Sequence, residues 1–218
     1  RAIYNLVNSQ KKITGAIRIS TSTTPSLVIL PQAIEIYREM HPEVTFTVEE
    51  KSSTEILEDV CSLTSDIGLI GMHVENERFI SQHLFDDELV FICSEDTPLD
   101  GIVEISELSK YHFISRSDQS ATRIELERAI IAQGYNLNFL ESVVVSDNMN
   151  LIIRLVSQGV GISYMSRTLF ECYKKVLAVK DFKVRGLNIS RHIHLLTNRR
   201  RTLSPAAEDF IKVFHTLK

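Results

Sequence analysis

Apolar residues along this chain fall into two periods that succeed one another in a regular order. Ala16-Ile17-Arg18-Ile19-Ser20 switches between apolar and polar at nearly every step, as a half-covered strand does. The polar turn Ser22-Thr23-Thr24-Pro25 then opens a stretch in which Leu27, Leu30, Ile34 and Tyr37 share one helical face. His41-Pro42 ends that helix, and Val44-Thr45-Phe46-Thr47-Val48 alternates as a second strand. Ser52-Ser53-Thr54-Glu55 offers a capping box to a helix through Ile56, Leu57, Val60 and Leu63. Asp66-Ile67-Gly68-Leu69-Ile70-Gly71 is short and almost wholly apolar, which suits a strand covered on both faces. This first series reads βαβαβ.

A second series follows. Leu89-Val90-Phe91-Ile92-Cys93 and His112-Phe113-Ile114 read as strands, and Ser117 to Thr122 precede a helix through Ile124, Ala129 and Ile130 that ends at Gly134. Val143-Val144-Val145 is a strand, Ser146-Asp147-Asn148 starts a helix through Leu151, Ile152, Leu155 and Val156, and Gly159 closes it before a strand from Val160 to Tyr164. A last strand through Ile193 and Leu195 and a helix begun at Ser204-Pro205, with Ala207, Phe210, Ile211 and Phe214 on its apolar side, complete the chain. Alternating strands and helices predict parallel sheets in an α/β architecture. Ile3, Leu6 and Val7 at helical spacing ahead of Thr14-Gly15 read as the tail of a helix that begins upstream.

Composition narrows the class of partner. With 44% hydrophobic and 24% charged residues over 218 positions, and no apolar run near the ~18 residues of a membrane span, the chain reads as an ordinary soluble globular protein with no membrane partner. A net charge of −4 argues against direct duplex binding, which needs clustered cations to neutralise phosphates. The dense basic run Arg199-Arg200-Arg201 lies between an apolar strand and a helix start and reads as a solvated loop. Cys61, Cys93 and Cys172 are widely spaced and odd in number, which favours reduced thiols and a cytoplasmic setting, with Cys61 and Cys93 packed as small hydrophobes.

Four strand-to-helix turns are rich in hydroxyls and amides: Ser22-Thr23-Thr24, Ser52-Ser53-Thr54, Ser117 to Thr122 and Ser146-Asp147-Asn148. In open parallel sheets ligands bind beyond the carboxyl ends of the strands, where helix N-termini present free N–H groups. Ser, Thr, Asp and Asn are also the ordinary N-caps, so any one turn alone reads first as a plain cap, and it is the four together that point to a site. Catalytic signatures are missing: there is no G-x-S-x-G, H-E-x-x-H, P-loop or G-x-G-x-x-G, and no nucleophile–base pair. The histidines form no ligand pair on a helix, His192 and His194 read as a surface face rather than a metal site, and Asp86-Asp87-Glu88 reads as a solvated acidic run. No cofactor or metal is implied.

The order of motifs resembles the sensor domain of the LysR-type bacterial transcription regulators. Thr14-Gly15-Ala16-Ile17-Arg18-Ile19-Ser20 with Ser22-Thr23-Thr24 and Leu30-Pro31 is similar to the family's opening "G-x-L-R-I-G-A-S-x-T … L-P", and His41-Pro42-Glu43-Val44 to its "H-P-x-V". Asp66-Ile67-Gly68-Leu69 resembles "D-L-A-I", Val156 to Ser163 resembles "V-x-x-G-x-G-I", and Leu203 to Phe210 resembles the closing "L-S-x-A-A-x-x-F". The match covers about residues 13–217.

The resemblance implies a periplasmic-binding-protein type II-like fold, two Rossmann-like lobes joined by two crossover strands. Residues 1–12 would end a linker helix, 13–86 plus 190–218 would form lobe one and 87–189 lobe two, with the N-terminal winged helix-turn-helix absent from this chain. A small anionic effector would lie between the lobes, facing Ser22, Thr23, Thr24, Thr54 and Gly71 from the first and Ser120, Thr122 and Asn148 from the second. It would be held by hydroxyls and backbone N–H groups more than by a buried guanidinium. Gln119 to Arg123 resembles a "G-S-G-T-R" loop with both glycines replaced, and no redox cysteine pair lies between Ser115 and Asn138. The family also implies a homodimer, with the helix of about residues 26–40 near the partner's helix of about 120–133 and Tyr37 and Met40 available as apolar contacts. The full-length protein would be a tetramer that meets DNA only through its N-terminal domain. A solute-binding protein of an importer and an enzyme on the same scaffold are the competing readings.

Overall fold

The computed structural model describes residues 13–72 and 74–217, so the expected linker-helix tail at 1–12 lies outside the described residues. Along the chain come β1 (Gly15–Thr21), α1 (Thr23–Val28), α2 (Leu30–Met40), β2 (Val44–Glu50), α3 (Ser53–Cys61), β3 (Ile67–Ile70) and β4 (Phe79–Ser94). Then follow β5 (Ile102–Val103), β6 (Phe113–Ser115), α4 (Ala121–Ala132), β7 (Ser142–Val145), α5 (Met149–Ser157), β8 (Ser163–Ser166), α6 (Arg167–Tyr173), β9 (Val179–Val184), β10 (Ile189–Asn198) and α7 (Pro205–Val213).

β1 pairs in parallel with β2 and β3, as the βαβαβ pattern predicts. β10 then runs antiparallel to both β3 and β4, so the main sheet is mixed where the alternation predicted parallel pairing. The sheet order is β2-β1-β3-β10-β4-β9-β5, with β8 also on β4 and β6-β7 forming a separate parallel pair. β4 and β10 are the long strands, 16 and 10 residues, and they cross from one lobe to the other. Sequence patterning registers only the last part of β4, because Ile80 to Asp86 is largely exposed or half-buried and lacks a clean alternation.

Each lobe has its own core. One packs Ile17, Ile19, Tyr37, Ile67, Leu69, Leu195 and Phe210. In the other lobe β4 is buried on both faces: Leu89, Phe91 and Cys93 join Phe113, Leu126 and Phe182, while Val90 and Ile92 join Ile152, Met165 and Phe170. Two-sided burial is why residues 89–93 read as an unbroken apolar run. Burial pushes the Cys93 thiol up to about 11, so it behaves as a core hydrophobe, whereas Cys61 is only half-buried. Tyr37 is fully buried and donates its hydroxyl to Ala206 O at 3.0 Å, so it is a core residue and offers no contact surface. Arg201 likewise departs from the solvated-loop reading: it is partly buried and holds the α3–β3 turn through Leu63 O, Ser65 O and the Asp66 carboxylate.

Two glycines shape the approach to β8. Gly159 ends α5 at φ +74°, the left-handed C-cap conformation. At Gly161 a Cβ would lie 2.5 Å from His112 O, the same carbonyl that accepts from Ile162 N at 2.9 Å. Gly161→Ala is therefore expected to lower unfolding stability by about 1–3 kcal/mol through backbone displacement. Urea denaturation with an unchanged m-value checks this, and wild-type stability would refute the close approach.

Candidate functional site

A cavity of about 250 Å³ opens between the lobes. Ser22, Thr23, Thr24 and Gly71 line it from one side and Ser120 and Thr122 from the other, so six of the sequence-nominated residues meet in one place. Thr54 and Asn148 do not line it: Thr54 is exposed beside the lining residues Ser53 and Glu55, and the exposed Asn148 accepts from Leu151 N at 3.2 Å as an N-cap of α5.

Capping geometry separates site from scaffold. Ser22 and Ser120 precede α1 and α4 yet make no side-chain capping bond. Ser52 does cap α3, in a reciprocal capping box with Glu55. The leading N–H groups of α1 and α4 are thus left without a side-chain cap where they face the cavity, and helix N-termini favour negative charge.

Two arginines that sequence reasoning did not nominate dominate the cavity floor. Arg191, on β10 and only 5% exposed, donates Nε to Asp87 Oδ2 at 2.8 Å and forms an ion pair with it, Nη2 lying 2.7 Å from the same oxygen. Its Nη2 also reaches Thr24 Oγ1 at 2.7 Å and its Nη1 reaches Thr122 Oγ1 at 3.1 Å. One guanidinium therefore joins α1, α4 and both crossover strands. Gly71 sits against it, where a Cβ would lie 3.4 Å from Nη1. Burial draws Arg191 below its ordinary value, opposed by the charge and hydrogen bonds of Asp87.

Asp87 is accordingly a buried hub and not a member of a solvated acidic run. Its Oδ1 accepts from Ser166 Oγ, Thr168 Oγ1 and Thr168 N at 2.9, 3.0 and 3.3 Å, at the start of α6. Sequence offered no signal for this pairing, since Asp87 and Arg191 are remote in the chain and each sits among polar neighbours.

Arg116, beyond β6, donates Nε to Asp147 Oδ1 at 2.9 Å and Nη2 to Thr23 Oγ1 at 3.1 Å, a second link between α1 and the opposite lobe. Its Nη1 makes no hydrogen bond among the described residues. Burial raises the Asp147 pKa, but hydrogen bonds from Ser117 and Arg116 outweigh it and hold the carboxyl below its usual range. Its contribution to stability is present above the unfolded carboxylate pKa and is lost as pH falls through the lower folded value.

The charged lining balances, Lys51, Arg116 and Arg191 against Glu50, Glu55 and Asp147, but the partners differ. Glu50 accepts from the Thr23 and Ser26 hydroxyls, Glu55 from Ser52, and Asp147 from Arg116 and Ser117. Lys51 is held by Glu49 and Asp59, which raise its pKa.

Removing one partner of a buried pair strands the other. Asp87→Ala is expected to cost about 3–5 kcal/mol in urea unfolding, because it leaves the Arg191 cation buried. Arg116→Ala, whose partner Asp147 is half exposed, should cost well under that. Equal losses in the two variants would show that burial does not set the energetics here.

Comparison with known proteins places this geometry. The family model described as the LysR substrate binding domain matches residues 10–217. The chain is 27% identical over 198 residues to an uncharacterized HTH-type transcriptional regulator of Methanocaldococcus jannaschii, covering 90% of this chain and 67% of that protein. It is 28% identical over 198 residues to YeiE, an uncharacterized HTH-type transcriptional regulator of Escherichia coli, again covering 90% and 67%. Among solved structures, the regulatory domain of Synechocystis CcmR superposes with a TM-score of 0.83 at 17% identity, covering 94% of this chain and 97% of that one. The effector binding domain of QuiR superposes with a TM-score of 0.79 at 21% identity, with the same coverage of 94% and 97%. These neighbours are regulatory domains with the type II periplasmic-binding-protein-like fold that the motif order implied. The chain belongs to the LysR-type regulators, as their effector-sensing substrate-binding domain.

Proposed function

We propose that the domain senses a small anionic metabolite in the interlobe cavity and passes the change to a DNA-binding domain. The observation that carries this reading is the pair Arg116 and Arg191: Arg116 of the second lobe bonds Thr23 of α1 across the cleft, and Arg191 on the crossover strand β10 bonds both Thr24 of α1 and Thr122 of α4. An anion seated there competes for the same hydroxyls and N–H groups, so its binding alters the ties between lobes; a ligand shifts such an equilibrium only through differential affinity for the two arrangements. The carboxylates of the lining already accept hydrogen bonds, while Arg116 Nη1 and the uncapped starts of α1 and α4 remain available as donors. The guanidinium of Arg116 thus takes a larger part than hydroxyls alone would suggest. A cavity of about 250 Å³ is near the lower end of ligand-pocket sizes, which suits a small metabolite. Two structural neighbours were solved with small molecules, QuiR with shikimate and CcmR with 2-PG. The reading is of binding rather than turnover.

The proposed site comprises Ser22, Thr23, Thr24, Gly71, Arg116, Ser120, Thr122 and Arg191. Calorimetry against a panel of carboxylates, phosphate esters and neutral analogues is expected to select an anion, with Thr24→Val and Arg116→Gln weakening it at least about tenfold and Thr54→Val leaving it unchanged. Preference for a neutral compound, or an equal loss in Thr54→Val, would overturn the site. Pairing in solution is the second expectation. The exposed apolar side chains Leu27 and Met40 on α1–α2 and Ile131 on α4 suit an antiparallel homodimer. Light scattering should give twice the chain mass at tens of micromolar, and a monomer would refute it. DNA contact is assigned to the N-terminal domain of a longer protein, since the curated relatives extend beyond the matched region.

A further inference from the structure

The outer face of the crossover strands holds a second constellation of side chains that effector binding does not use. β4 and β10 pair Asp86 with His192 and Phe85 with Ile193, and then His83 with His194, so Leu84 is an extra residue in β4. Residues three apart in an unbroken strand point to opposite faces, because the period is two. The bulge at Leu84 rephases the strand and puts His83 on the same face as Asp86, opposite His192 and His194. Leu84 and Phe85 both turn toward the first lobe's core, which fixes the bulge by burial.

His83 Nε2 and His192 Nδ1 converge on Asp86 Oδ1 at 2.6 and 2.7 Å. One ligand atom from each residue lies within 4.8 Å of the others. The rings of His83, His192 and His194 stand at centroid separations of 5.6, 5.7 and 6.4 Å, and His194 is fixed by Ser81 Oγ at 3.0 Å.

We propose that His83, Asp86 and His192 bind one divalent transition-metal ion of the zinc, cobalt or nickel class on the back of the crossover strands. Two imidazole nitrogens and one carboxylate oxygen are the donor set of open zinc sites, with solvent completing the coordination. Bonds of about 2.0–2.1 Å in a tetrahedron separate ligand atoms by roughly 3.3 Å, so the ion needs the present contacts of 2.6 and 2.7 Å to open by about 0.6–0.7 Å. All three side chains are at least half exposed or nearly so, and they can rotate without disturbing the core. Each ring moves its N–H proton to its other nitrogen, leaving a lone pair on the atom that now donates to Asp86. Two nitrogen donors select against calcium and magnesium, which prefer oxygen. The ion would cross-link β4 to β10 one position from the Asp87–Arg191 pair, on the opposite face from the effector cavity. This inference is independent of what the cavity binds.

The test uses untagged, metal-stripped protein titrated with Zn²⁺ against a chromophoric chelator, with Co²⁺ as a spectroscopic probe of coordination. One ion per chain is expected, together with visible Co²⁺ bands of a nitrogen-containing low-coordinate site. His83→Ala, Asp86→Asn and His192→Ala should each weaken Zn²⁺ by at least the roughly 10–100-fold that loss of even a supporting partner costs. His112→Ala, an exposed histidine in the second lobe, should leave binding unchanged. Melting curves in chelator establish that the variants are folded. Zinc uptake that is absent in the wild type, or equally strong in the His83→Ala/His192→Ala double variant, overturns the proposal.

Discussion

A carboxylate and a guanidinium buried together at the junction of two lobes constrain everything around them. Asp87 and Arg191 face each other across β4 and β10 with almost no solvent exposure, and desolvating two charges is repaid only when geometry and further hydrogen bonds satisfy both groups. Here Ser166 and Thr168 fill the remaining acceptor positions of Asp87, and Thr24 and Thr122 occupy the outer N–H groups of Arg191. Because those partners come from α1, α4, β8 and α6, satisfying one ion pair fixes how the lobes meet. A pair of this kind contributes orientation more than net stability.

The alternation of side chains along the two crossover strands divides their labour. Arg191 lines the cavity with Asp87 paired to it, while their neighbours His192 and Asp86 lie on the other face of the strands. On the cavity side, hydroxyls of α1 and α4 end on guanidinium groups instead of on their own helix backbones. The N-cap serines of both helices, Ser22 and Ser120, make no capping bond, so two uncapped helix starts lie beside cationic groups. On the outer side a single bulge gathers two imidazoles and a carboxylate that a regular strand would have separated.

A hydroxyl-rich turn before a helix has two possible fates, and the structure contains both. Ser52 and Asn148 bond to the backbone of their own helices and are structural caps. Ser22 and Ser120 do not, and the threonines that follow them reach across the cleft. The same residue types therefore serve as scaffold in one turn and as candidate ligand contacts in another.

Periodicity and turn chemistry alone determined the order of most strands and helices, since a half-buried strand and an amphipathic helix each impose a repeat that the residues must obey. They also placed the hydroxyls of Ser22 to Thr24 and of Ser120 and Thr122 at helix starts, because N-terminal signals are local. Tertiary structure decided what no local pattern encodes. The antiparallel pairing of β10, the burial of Asp87, and the arrival of Arg116 and Arg191 at the cleft depend on contacts between residues up to 167 positions apart. A polar residue carries no periodic mark that distinguishes solvation from burial against a partner. Only the fold, by bringing the opposite charge into place, makes burial of either one affordable.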